Sequence, residues 1–99
     1  MQADVRTEEG VRCLFDETDA QLGRLTHLVN NAGIIRREDS LNFSEKDWDD
    51  VVDLNLKAVF FLSQAAARRF IAQDSPGKII NIASMLSFQG GIRVPSYTA

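Results

Sequence analysis

Leu28-Val29-Asn30-Asn31-Ala32-Gly33 is the stretch on which the fold of this chain turns. An apolar run from Leu25 to Val29 stops abruptly at two asparagines, an alanine and a glycine. Asparagine tolerates left-handed backbone angles and its amide bonds nearby backbone groups, while glycine lets other atoms approach closely. The stretch reads as a buried strand that ends in a polar, tightly turned edge. In open α/β sheets ligands bind outside the carboxyl ends of the strands, which makes Asn30 to Gly33 a candidate wall of a ligand crevice. A plain turn with no further role is the alternative, and the residues downstream decide between the two.

Upstream, residues 2 to 5 fit the last residues of a strand, with Asp4 at its carboxyl end. From Thr7, a candidate N-cap followed by Glu8 and Glu9, apolar positions recur at Val11, Leu14, Phe15, Thr18 and Leu22. Offsets of three, four, seven and eleven mark one face of a helix, and Gly23 is placed to cap its end. Cys13 flanks that face and reads as a small hydrophobe rather than a reactive thiol, because no cationic neighbour or metal-ligand spacing accompanies it. His27, alone within the strand, reads as a packed strand residue.

Downstream, residues 34 to 43 form a connection that carries Arg36 and Arg37 beside Glu38 and Asp39. Two arginines just past a strand end either bind an anionic group through forked hydrogen bonds or belong to a solvated loop. Ser44 then caps a long helix, with an apolar stripe through Trp48, Val51, Val52, Leu56, Val59, Phe60, Ala66, Ala67, Phe70 and Ile71. Asn55 interrupts the stripe. Burying its amide without partners costs about 1–3 kcal/mol, so it is expected to be bonded, as a kink residue or as a polar post reaching a site. Phe61, Leu62 and Ala65 widen the apolar coverage, so the helix is expected to meet the sheet on one side and another surface, such as a partner subunit, on the other.

Ser75-Pro76-Gly77 breaks the helix, and Lys78 to Ala83 follows as a near-continuous apolar run. That character fits a parallel strand covered on both faces. Strand, helical crossover and strand make a βαβ unit, which puts Ser84 at the same sheet edge as Asn30 and Asn31. Residues 85 to 96 form a loop with Gly90-Gly91 and Pro95, and Tyr97 begins a further helix.

The 99 residues carry a formal net charge of −3, and 44% are apolar and 25% charged, as in ordinary globular chains. No basic cluster marks a nucleic-acid footprint, and no apolar run approaches the roughly 18 residues of a membrane span. The first residues have neither the basic segment nor the apolar core of a signal peptide. One cysteine cannot form an internal disulfide, so a reducing, cytoplasmic setting is expected.

Asp4, the Asn30-Asn31-Ala32-Gly33 turn, Asn55, Ser84, and Tyr97 thirteen positions after the serine, taken in order, resemble the short-chain dehydrogenase/reductase family over essentially all 99 residues. The resemblance implies a nicotinamide-dependent oxidoreductase on an α/β Rossmann fold, a doubly wound parallel sheet in three α/β/α layers. It implies that Tyr97 is the general acid/base for the substrate oxygen, that Ser84 holds that oxygen, and that Asn55 supports a water-linked proton path. Asp4 and Val5 would approach the adenine ring, and the backbone at Asn31, Ala32 and Gly33 would line the cofactor, NAD with NADP left open. A free phenol titrates near pH 10, so nearby positive charge must favour the phenolate at neutral pH. The family provides a lysine four positions after the tyrosine. That position lies past Ala99, and the family's glycine-rich phosphate loop is also outside the sequence. Residues 1–99 are therefore expected to be a middle fragment of one NAD(P)-binding Rossmann domain, lacking its first strands and C-terminal part, marginally folded at best and inactive alone.

Within the family, residues 34–39, 43–50 and 79–99 resemble members that oxidise sugar acids such as 2-dehydro-3-deoxy-D-gluconate at a secondary alcohol. Gluconate 5-dehydrogenases, 3-oxoacyl-carrier-protein reductases and a non-catalytic Rossmann-like binding module are the alternatives. An anionic substrate would give Arg36, Arg37 and Arg93 a purpose as carboxylate partners. The expected partners are thus a small-molecule sugar acid and further copies of the chain, as a homo-tetramer or homo-dimer through the long helix 44–73, with no nucleic acid and no membrane.

Overall fold

The computed structural model describes residues 2–99. In chain order the elements are α1 (Glu8–Leu22), β1 (His27–Asn30), α2 (Glu45–Val52), α3 (Ala58–Ala72), β2 (Lys78–Asn81) and α4 (Pro95–Thr98). A π-turn, Asp53–Lys57, joins α2 to α3 into one continuous helical rod, and short 3-10 turns occupy Ser40–Asn42 and Met85–Ser87.

Local chemistry sets the helix ends where the residue types suggest. Thr7 Oγ1 accepts the Gly10 N–H and Ser44 Oγ accepts the Asp47 N–H, each meeting one of the donors a helix start leaves unpaired. Gly23 ends α1 at φ 77°, where its N–H donates to the Asp19 carbonyl.

β1 and β2 pair in parallel, with Leu28 opposite Ile79 and Asn30 opposite Asn81. The helical crossover between them supplies the connection that parallel pairing demands. Both strands are shorter than the apolar runs 25–30 and 78–83 that contain them. Val11 and Phe15 of α1 and Ala58, Leu62 and Ala66 of α3 form the core, with Leu25 and Leu28 packed against it. Both long helices therefore cover the same face of the sheet.

The opposite face, with Val29, Ile80 and Ile82, is open to solvent. The expectation of strands covered on both sides is thus met on one face only by the described residues, which supply two of the three α/β/α layers. The buried stripe of the rod also differs from the expected one. Val51, Ala58, Leu62 and Ala66 point inward, whereas Leu56, Phe60 and Ile71 are exposed. The buried positions are spaced seven, four and four, an ordinary helical period, so the expected stripe of ten apolar residues is wider than the face that is covered. Leu22 and Cys13 are exposed on α1, and His27 is exposed rather than packed, its Nδ1 3.0 Å from Thr26 Oγ1.

Residues 2 to 5 do not form a strand end. A strand needs a neighbour, and none lies beside them among the described residues; the Asp4 carbonyl instead accepts from Thr7 N and Thr7 Oγ1 in a turn that leads into α1.

Three side chains fasten the helical rod to the segment around β1. Gln73 donates to the Leu25 carbonyl at 2.9 Å and accepts the Leu25 N–H at 2.8 Å. Ser63 Oγ accepts from Asn30 Nδ2 at 3.2 Å. Asn55 donates to the Ile34 carbonyl at 2.8 Å and accepts the Ile34 N–H at 2.9 Å. The rod and the β1 segment run antiparallel and are thereby pinned at both ends and near the middle.

Candidate functional site

β1 ends in a tight three-residue turn, in which the Asn31 N–H donates to the Val29 carbonyl at 3.1 Å. Among the described residues neither asparagine has positive φ, so the left-handed angles that asparagine permits are not used here. Gly33 matters through close approach: a Cβ there would lie 3.3 Å from Asn55 Oδ1. The π-turn presents Asn55 to this loop, and its amide takes both polar groups of the Ile34 peptide. Asn55 thus sits in an irregular turn of the rod, and its amide is bonded to backbone, as burial requires.

At the end of β2, Ser84 starts the 3-10 turn Met85–Ser87, and its Oγ accepts the Leu86 N–H at 3.2 Å. That contact uses an acceptor lone pair and leaves the hydroxyl proton available to donate. Pro95 opens α4 at a position where its missing N–H costs nothing, and α4 packs against α2. Tyr97 is carried on that turn.

These pieces enclose a cleft of about 830 Å³ at the carboxyl ends of the strands. Asn31, Ala32 and Gly33 form one wall, and Asn55, Ser84 and Tyr97 line the same space. Arg37 reaches its margin and has no carboxylate within 4.0 Å among the described residues.

Other candidates lie elsewhere. Arg36 sits 3.8 Å from Asp47 and 4.0 Å from Asp50, and Arg93 Nε sits 3.0 Å from Asp39. Neither lines the cleft, because each guanidinium is held by nearby carboxylates. Asp4 is also outside it. The Arg6 side chain and backbone N–H bond its carboxylate, which holds the Asp4 carboxyl below the usual range. Val5 lines a separate hollow of about 570 Å³ between α1 and α3.

Asn30, the last residue of β1, is 6% exposed, and its partners are ones the sequence did not indicate. Its Nδ2 donates to Asn81 Oδ1 at 2.8 Å as well as to Ser63. Two asparagines at equal register within apolar strands are the signal that marks this pair. Asn30 Oδ1 and Ser96 Oγ belong to residues of the cleft lining, are themselves buried, and have no partner among the described residues. Among the described residues no group of three or more His, Cys, Asp or Glu could hold a metal ion, and no helix is long and apolar enough to cross a membrane.

The family model for short chain dehydrogenase matches residues 1–99. The chain belongs to the short-chain dehydrogenase family. It is 68% identical over 99 residues to the 2-dehydro-3-deoxy-D-gluconate 5-dehydrogenase of Escherichia coli, covering all of this chain and 39% of that relative. The Dickeya dadantii enzyme of the same description is 63% identical over the same span, again with 39% of its length covered. Among solved structures, a gluconate 5-dehydrogenase from Burkholderia cenocepacia in complex with NADP and tartrate superposes with a TM-score of 0.87 at 41% identity. That match covers 96% of this chain and 37% of the other. The chain thus spans about two fifths of the length of the short-chain dehydrogenases it matches. The parallel β1–β2 unit with its helical layer is a partial Rossmann fold.

Proposed function

We propose that residues 1–99 are part of a single NAD(P)-binding domain in a dehydrogenase that acts on a secondary alcohol of a sugar acid resembling 2-dehydro-3-deoxy-D-gluconate. The observation that carries the reading is the cleft that gathers Asn31 to Gly33, Asn55, Ser84 and Tyr97 at one sheet edge. The 68% identity to the Escherichia coli enzyme supports the substrate class. NADP in the Burkholderia structure supports a nicotinamide cofactor, and the tartrate in the same complex is consistent with an acidic substrate.

The cleft residues fit such a group: the Asn31–Gly33 wall brings backbone and a glycine to the cleft surface, where a cofactor can approach closely. When bound, the nicotinamide supplies or accepts the hydride. Tyr97 passes a proton to or from the substrate oxygen, in the role of a general acid/base. Ser84, with its Oγ lone pair already engaged by Leu86 N–H, donates its proton to that same oxygen and orients it. Asn55 fixes the cofactor-side loop through Ile34 and supports the proton path away from Tyr97. Arg37 pairs with the substrate carboxylate by a forked contact. Phe60, Phe61 and Ile71 leave an exposed apolar face on α3, which supports assembly with further copies through the 44–73 rod.

The test is a graft in which this chain replaces the matching 99 residues of the Escherichia coli relative. The graft should oxidise or reduce the sugar acid in a nicotinamide-dependent way, and the isolated 99 residues should give no turnover. In the graft, Arg37→Ala should raise KM for the acid by about tenfold, the size of one charge-assisted contact of 1.4 kcal/mol, without changing KM for a neutral polyol. A folded graft with no turnover on any sugar acid would contradict the proposal.

A further inference from the structure

Two loops flank the mouth of the cleft: residues 31–43, which carry Arg37, and residues 82–94, which begin at the end of β2 and lead into α4 and Tyr97. Beyond the last ladder bond at Ile82, their only polar links among the described residues converge on Arg93. The Glu38 N–H donates to the Arg93 carbonyl at 2.9 Å, and Arg93 Nε lies 3.0 Å from Asp39 Oδ1.

Arg93 also has φ 61°, a left-handed conformation that an arginine holds only when its surroundings impose it. The side-chain contact and the backbone contact meet the same two-residue edge, Glu38-Asp39, one position past Arg37. Two positions on in the other direction is Pro95, the first residue of α4. From this geometry we infer that Arg93 is a positioning residue: its pairing with Asp39 holds the left-handed turn that offers its carbonyl to Glu38, and so sets the separation between Arg37 and Tyr97. Arg93 acts on the substrate end of the cleft without touching substrate. Because the pair is largely exposed, its consequence lies in loop position rather than in bulk stability.

The kinetic arm of the test rests on the dehydrogenase reading and uses the graft described above. Arg93→Ala should raise KM for the sugar acid about fivefold and leave KM for the nicotinamide cofactor within twofold. The charge-reversed pair Arg93→Asp with Asp39→Arg should recover at least half of that loss. A parallel rise in both KM values, or no recovery in the reversed pair, would overturn the inference. The second arm needs no activity. Amide exchange at Glu38 should quicken at least tenfold in Arg93→Ala and return towards the parent rate in the reversed pair, and an unchanged Glu38 rate would overturn the inference even in an inactive graft. Loss of turnover in the unsubstituted graft would count against the proposed function alone.

Discussion

The side-chain amide of Asn55 holds both the N–H and the C=O of Ile34, so one helical residue fixes a whole peptide group of the loop that follows β1. Gln73 does the same to Leu25 just before β1. The strand is gripped at both ends by the rod that crosses over it.

The two grips are equivalent in bonding and differ in distance from the cleft, which separates stability from function. Asn55→Ala and Gln73→Ala should each cost about 1–3 kcal/mol, since each leaves a partly buried peptide group without its partners. Urea unfolding of the graft should show similar losses for the two variants. Turnover should fall at least tenfold for Asn55→Ala and stay within twofold for Gln73→Ala. Equal activity losses would mean that Asn55 acts only through general stability.

Asn30, Asn81 and Ser63 form a polar chain between the paired strands and α3. Asn30→Ala should destabilise by about 1–3 kcal/mol, because it removes the donor to Asn81 Oδ1 from a buried position. In a double-mutant cycle with Asn81→Ala the two changes should couple by about 0.5 kcal/mol or more. Additive effects would show that the Asn30–Asn81 bond contributes nothing of its own.

Acid stability is expected to depend on Asp50. The hydrogen bond from Lys46, followed by the charges of Lys46, Arg36 and Arg6, holds its carboxyl below the ordinary 3.8. A carboxyl depressed in the folded state stabilises fully above its unfolded pKa, and that stabilisation is lost as pH falls through the lower folded value. Asp50→Asn should therefore lower the urea midpoint at pH 7 and lower it by less at pH 3. A difference of equal size at both pH values would assign the loss to packing rather than to charge.

The sequence carried the parallel βαβ unit, because a strand, a capped helix and a second apolar strand leave few alternatives. It also placed Asn30 to Gly33, Ser84 and Tyr97 at one sheet edge, and these residues line one cleft together with Asn55. The inward face of the long helix was not legible, because apolar residues such as Leu56, Phe60, Phe61 and Ile71 surround the rod and spacing alone does not choose among them. Nor were the partners of the arginines. Arg36 and Arg93 stand in sequence beside possible anion sites, but local carboxylates at Asp47, Asp50 and Asp39 lie nearer and take them. Asp4 shows the same effect at shorter range, since Arg6 two residues away determines where its carboxylate points.

The most direct measurement is the nicotinamide-linked turnover of the graft with 2-dehydro-3-deoxy-D-gluconate, compared with its Tyr97→Phe and Ser84→Ala variants. Tyr97→Phe keeps the ring and removes only the hydroxyl, so turnover should drop by about 10²–10⁴ if the phenol moves the proton. Ser84→Ala should lower it by about 10²–10³ if the serine donates to the developing oxygen charge. Both variants should bind the nicotinamide cofactor as the parent does. Turnover within a few fold of the parent in Tyr97→Phe, with the protein folded and cofactor bound, would contradict the role assigned to this cleft.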